Sequence, residues 1–430
     1  MPILQWLDFS SVEREEILTL LESQKDKSTI DELGMGPVRD AISDHLFPGV
    51  SIIQTRARYF LFVAWLLRDL ERGNVADDRL VLTLRQREVA LIHALLATED
   101  EEEGERHAGL IGRERRDATK RLPSTIYWSG IRQWGLYKGA GSLQEYLSDL
   151  PALRKQRRRS AVLEDGEDTS VDGKPTTWDP GLPEADPNFL TETAFRLTRE
   201  EARYLNEKVL ALRSVSGNPC LLQWIVQHLD AATVESLEAP WSLLESGNRW
   251  PKLPASLHAE LLHAHHFSLC GRVLTSVYCR FLAGRRRDLD VNLFDELLAD
   301  SLDGLAQSAP ALRDWYADLP IFWRWIAEMN PRLQRDRPFI DEWIRMLAEQ
   351  GFAPSDPSRL TGASVERWVQ ARERRLKGSL ARMSFPSVLQ RWNAPSWVGL
   401  TDYRWRTARD IVVDILMGLG RTGDAKHAGP

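Results

Sequence analysis

Cysteine is scarce in this chain, with three in 430 residues: Cys220, Cys270 and Cys279. Three scattered thiols make neither a disulfide framework nor a CxxC metal site. A reducing, cytoplasmic setting is the expectation. Long apolar runs are also missing. The longest, YFLFVAWLL from Tyr59 to Leu67, is about half of the roughly 20 residues a bilayer span needs. It reads as a buried helix, and no membrane partner is expected. The opening MPILQWLDFSSVEREE has no basic n-region and no apolar h-region, so a secretory signal is not expected.

Signatures of known chemistry are as sparse. The chain has no GxxxxGK[ST] loop and no GxGxxG after a strand, and it lacks HExxH and GxSxG. No cofactor is expected. Alternating strand patterns and hairpin dipeptides are rare, and no repeat of fixed period occurs.

Helix signals fill the space that remains. Capping boxes are legible at Ser10–Glu13, Ser51–Gln54 and Thr198–Glu201. The second box is expected to open a helix running to Gly73. Pro37 suits the first turn of a helix with Val38, Ala41, Ile42 and Leu46 on one side, ended by Phe47-Pro48-Gly49. Asp78 is a candidate cap for a stripe of Leu80, Leu84, Leu91 and Leu95. Further helices are expected at 255–283, 293–306, 311–328, 338–350, 364–383 and 402–418. The fold class is therefore mainly α, multi-helical, in two helical domains or lobes with little β. Residues 98–106, TEDEEEGER, read as a solvated acidic loop. Residues 164–188 are acidic and rich in Pro and Gly, which suggests an inter-domain linker or long loop. The division is then 1–163, the linker 164–188, and 189–430.

One stretch stands out against a chain of net charge −6. Residues 371–410 carry nine Lys/Arg against three acids, interleaved with Trp392, Trp397, Tyr403 and Trp405. Arg374, Arg375, Lys377 and Arg382 lie off the apolar stripe of Val365, Trp368, Val369, Leu376, Leu380 and Met383. Cations placed outward can neutralise phosphates, and exposed aromatic rings can stack on bases. Arg404, Arg406 and Arg409 belong to the same candidate nucleic-acid-binding set. A core helix with a solvated face explains the same pattern without a ligand, and the overall acidity weighs against a dedicated DNA-binding domain.

Other candidates are weaker. Arg56 and Arg58 adjoin the most apolar run, so at least one should face inward and need a carboxylate; Asp40 or Asp44 is the expected partner. Arg39 with His45, and Arg87 with His93, match the loose Arg–His spacing of helical ribonucleases. There a histidine assists attack by a ribose hydroxyl and an arginine steadies phosphate charge. His258, His263, His265, His266 and Cys270 share one segment, but no second ligand pair accompanies them, and no metal is expected. Two carboxylate–lysine pairs, Asp172 with Lys174 and Glu207 with Lys208, lack the strand context of a nuclease site.

Several blocks carry a family resemblance. Residues 31–66, DELGMGPVRDAISDHLFPGVSIIQTRARYFLFVAWL, and 111–136, IGRERRDATKRLPSTIYWSGIRQWGL, resemble segments of the bacterial domain-of-unknown-function family DUF6361. FRLTREEARYL at 195–205 and LTDYRWRTARDIVVDI at 400–415 are similar to it as well. The resemblance implies no assigned catalytic residue. It implies a role near antiviral defence genes, with helicases and phospholipase D-like nucleases as partners. The expected function is a non-enzymatic component of a defence complex that binds DNA or RNA and docks such partners. The alternatives are a helical ribonuclease and a pure protein-interaction scaffold.

Overall fold

The computed structural model describes residues 33–98, 109–164, 177–245, 249–396 and 398–423. Among these the fold is mainly α-helical, with no named strand and one isolated antiparallel bridge between Tyr137 and Trp178. The Ser10–Glu13 box, most of the acidic 98–106 segment, residues 165–176 and Trp397 lie outside the described residues.

The chain forms two compact units, each discontinuous in sequence. The first is Met1–Ile42 with Leu262–Thr401, and the second is Ser43–Leu261 with Asp402–Pro430. Two helices, Gly36–Leu46 and Ala255–Ala283, contribute residues to both.

The second unit is organised around the helix Tyr59–Arg72, whose residues Tyr59 through Arg68 are all buried. A helix apolar on every side needs neighbours on every side. Here they are the helices Leu80–Ala97, Pro123–Gln133 and Leu143–Glu164. Phe60 stacks on Trp134 with centroids 4.1 Å apart. The helix begins later than expected. Residues 51–54 make only a turn, in which Gln54 Oε1 accepts the Ser51 amide at 3.0 Å, and the helix starts at Tyr59. It ends at Gly73, as read. Both ends of the 164–188 stretch fall in this unit, and the described part packs there. Thr177 and Trp178 donate to the Glu71 carboxylate at 2.8 and 3.0 Å, and the Trp65 indole donates to the Pro183 carbonyl at 2.7 Å. A second cluster joins the helix Arg199–Ala211, capped by the complete Thr198/Glu201 box, to Leu221–His228, Ala231–Ser236 and Trp405–Gly418.

The first unit packs tryptophans between helices. Trp343 is fully buried and donates to the Cys270 carbonyl at 2.9 Å. The expected 311–328 helix divides into Ala309–Ala317 and Leu319–Met329. Pro320 explains the break, because a proline in the first turn of the second helix cannot donate back into the first. The expected 364–383 helix stops at Lys377. Gly378 follows with φ +54°, a conformation a side chain resists, and the chain turns there.

Candidate functional site

The basic stretch divides between the two units. Arg374, Arg375, Lys377 and Arg382 belong to the first, and Arg404, Arg406 and Arg409 to the second, so each group is taken by itself. In the first unit the helix Ala363–Lys377 buries Val365 and Val369. It also buries two charges the apolar stripe did not predict. The Arg372 guanidinium lies 2.7 Å from Asp336, its Nε donates to the Leu33 carbonyl at 2.9 Å, and it sits 4.7 Å over the Phe339 ring. Glu373 is wholly buried. Its carboxylate accepts from the Tyr278 hydroxyl at 2.6 Å and from the Arg382 and Met383 amides at 2.8 and 2.9 Å. This buried carboxylate folds residues 378–383 back along the helix.

Arg374 and Arg375 occupy the opposite situation. Both are exposed in the last turn, and neither makes an ion pair with a described residue. Lys377 is half-buried. Arg382 lies beyond the helix end rather than on its outer face. It is half-buried, and burial lowers its guanidinium pKa. Leu376, Leu380 and Phe385, all exposed, accompany these cations, although the stripe placed Leu376 and Leu380 in the core.

In the second unit Arg404 caps the Trp405–Gly418 helix in the left-handed region, φ +70°. Its guanidinium holds Asp44 and donates to the Val50 carbonyl at 2.7 Å. Arg409 lies 3.4 Å from Asp410. Arg406 is exposed, with no ion pair to a described residue.

The aromatic half of the candidate surface is corrected. Trp392, Tyr403 and Trp405 are each at most 2% exposed. Trp405 packs against Phe47 and donates to the Leu237 carbonyl at 3.1 Å. Rings held in the core cannot stack on bases.

Arg56 and Arg58 are ion-paired as expected, with different partners. Arg56 makes a forked pair with Asp414, with contacts of 2.7 to 3.1 Å, and Arg58 pairs with Glu201 at 2.8 Å. Asp414 also accepts the Ala57 amide at 2.8 Å. The two arginines precede the Tyr59–Arg72 helix rather than lying within one, with Arg58 as its N-cap residue, so their inward placement does not follow helical spacing. Asp44 serves Arg404 instead, and Asp40 serves Arg39.

The histidines of the two Arg–His candidates each lie beside a carboxylate rather than beside the arginine they were matched with. His45 is buried, with its Nε2 3.1 Å from Glu260, and Arg39 lies 3.0 Å from its neighbour Asp40. His93 is exposed and lies 2.7 Å from Asp117, while Arg87 lies 3.7 Å from Asp69. His263 Nδ1 accepts the Trp315 indole at 2.9 Å. Burial pushes His265 and His266 down to about 4, so both are neutral at pH 7. Among the described residues no group of three or more His, Cys, Asp or Glu could hold a metal. Burial pushes Cys220 up to about 11 and Cys279 up to about 12, and it raises Cys270 as well. None is a thiolate nucleophile at neutral pH.

A further feature of the first unit was not legible in sequence. A small cleft is lined by Met35, Gly36, Arg39, Phe267, Gly271, Arg272, Thr275, Gly399 and Thr401.

No helix of the described residues is long and apolar enough to cross a membrane. The chain belongs to DUF6361, a family of unknown function, whose model matches residues 1–417. No curated protein and no solved structure matches it.

Proposed function

We propose that this protein is a non-enzymatic binding component that holds the phosphate backbone of DNA or RNA through Arg374 and Arg375. The observation that carries this reading is the contrast within one helix turn. Arg372 is buried on a carboxylate, whereas Arg374 and Arg375 are exposed without one among the described residues. Half-buried Lys377 and Arg382 are secondary contacts in the same unit, and Arg406 is a separate exposed cation in the other. With Trp392, Tyr403 and Trp405 in the core, the recognition is electrostatic and indifferent to sequence. Leu376, Leu380 and Phe385, exposed and following the arginines in sequence, support the docking half of the reading. Exposed apolar side chains grouped with cations suit a protein partner; the family resemblance suggests a helicase or a phospholipase D-like nuclease in antiviral defence.

The test is binding of labelled DNA and RNA over a salt series, comparing wild type with the Arg374→Glu/Arg375→Glu double variant. Each lost phosphate contact should reduce the log–log salt slope by about 0.7 to 0.9, so the variant should bind more weakly and with a slope lower by about 1.4 to 1.8. Equal binding by the two proteins across the series would remove this surface from consideration and move the scaffold reading to first place. RNA cleavage by wild type that is lost in His45→Ala or His93→Ala would replace both with the ribonuclease.

A further inference from the structure

We infer that the turn over residues 109–121 of the second unit is a second contact for a nucleic-acid phosphate backbone, made through Arg115, Arg116 and Lys120; this rests on the nucleic-acid reading above, but on other residues in the other unit. Residues 113–121, RERRDATKR, hold five Lys/Arg against two acids. Arg115, Arg116 and Lys120 are exposed, and none makes an ion pair with a described residue. The two acids do not pair with them. Asp117 lies 2.7 Å from His93, and Glu114, also exposed, makes no ion pair with a described residue. The turn therefore keeps a positive balance, which attracts a polyanion.

The backbone that carries these cations is held in place. Arg116 has φ +44°, a left-handed conformation that side chains resist. Its amide donates to the Gly112 carbonyl at 2.7 Å, and its carbonyl accepts from the Thr119 amide at 3.0 Å and the Thr119 hydroxyl at 2.6 Å. Thr119 is buried. Gly112, at φ +85°, leaves room for that hydroxyl, which a Cβ there would meet at 2.5 Å. Arg85, on the Leu80–Ala97 helix, donates to the Asp117 and Thr119 carbonyls at 3.1 and 3.4 Å. The Tyr59 hydroxyl accepts the Ile111 amide at 3.0 Å, and the Thr55 hydroxyl donates to the Gly109 carbonyl at 2.6 Å. Backbone strain that its surroundings over-determine is concentrated at functional sites. A fixed turn also has less freedom to lose on binding.

Chemistry narrows the partner. A guanidinium meets phosphate oxygens with a two-donor fork, and a lysine meets them as a point charge. A protein partner usually adds a buried apolar or aromatic anchor. Residues 109–121 expose no large apolar side chain. Charge without an anchor fits a phosphodiester strand better than an acidic protein, and contact to phosphates alone is indifferent to base sequence.

The experiment uses the full chain with a labelled single-stranded oligonucleotide and a duplex of the same sequence, followed by fluorescence anisotropy over a salt series. Arg115→Gln/Lys120→Gln removes two charges from exposed side chains. It should bind more weakly than wild type, with a log–log salt slope lower by about 1.4 to 1.8. Arg116→Gly removes the third charge and suits the left-handed backbone at that position. Its slope should fall by about 0.7 to 0.9 with no fall in melting temperature, whereas a purely structural role for Arg116 predicts unchanged binding. Wild-type affinity and slope in both variants would overturn the inference. So would tighter binding of polyglutamate than of either nucleic acid at matched charge, which would assign the turn to an acidic protein. The Arg374→Glu/Arg375→Glu variant tells the two surfaces apart. If it binds like wild type while the turn variants are weakened, the first-unit surface fails and the turn stands. If it is weakened while the turn variants bind like wild type, the turn fails and the first-unit surface stands.

Discussion

Arg56 and Arg58 in the second unit, and Arg374 and Arg375 in the first, look alike in sequence: each is a close pair of arginines beside apolar residues. The surroundings separate them. Asp414 comes from 358 positions away to meet Arg56, and Glu201 from 143 positions away to meet Arg58. Arg374 and Arg375 meet no such carboxylate among the described residues. Charge density in a sequence therefore says little about whether that charge is available to a partner. The carboxylates decide it, and tertiary structure supplies them.

The largest way to break this comparison is to remove a partner from the interior. Asp414→Ala strips Arg56 of its forked contact and leaves the Ala57 amide without its acceptor. Removing one partner of a buried ion pair costs about 3 to 5 kcal/mol, so urea unfolding should show a loss of that order. A loss below about 1 kcal/mol would mean the pair is not structural, and the distinction between the two arginine pairs would fail.

A buried charge with no cation bonded to it should show its cost through pH. Glu88, on the Leu80–Ala97 helix, is 1% exposed and accepts the Ser124 amide at 2.7 Å. Burial pushes its carboxyl up to about 7, against partial relief from Ser124 and Arg85. The folded state then holds the proton more tightly than the unfolded state, whose carboxyl titrates near 4.5. The stabilisation from protonated Glu88 is complete below about pH 4.5 and is lost as pH rises toward 7. Over that window wild type should lose on the order of 3 kcal/mol relative to Glu88→Gln. Parallel pH profiles for the two proteins, followed by urea midpoint, would show that Glu88 is not the source.

Local signals carried most of the helix reading, and long-range ones carried most of its errors. The Thr198–Glu201 box and the Gly73 stop depend on neighbours within a few residues, and both stand in the structure. Arg372 and Glu373 were unreadable as buried charges. Their partners, Asp336 and Tyr278, lie 36 and 95 positions away. Gly378 was visible, but the apolar spacing of Leu376, Leu380 and Met383 matched a continuing helix equally well. The cleft around Arg39 and Arg272 is assembled from segments more than 100 residues apart, so no motif could announce it.

The smallest effect is the sharpest test of the comparison. Arg374 and Arg375 lie in the last turn of their helix, where a cation gains a little from the helix dipole, about 0.3 to 1 kcal/mol at low salt. They have no described ion pair to lose and little buried surface. Converting both to glutamine keeps length and helix propensity and removes only the charge. Unfolding free energy should then change by no more than about 0.5 kcal/mol at moderate salt, while nucleic-acid affinity falls. If the double glutamine variant instead loses stability on the scale of Asp414→Ala, these arginines are structural like Arg56 and Arg58, and the helix end holds no charge in reserve for a partner.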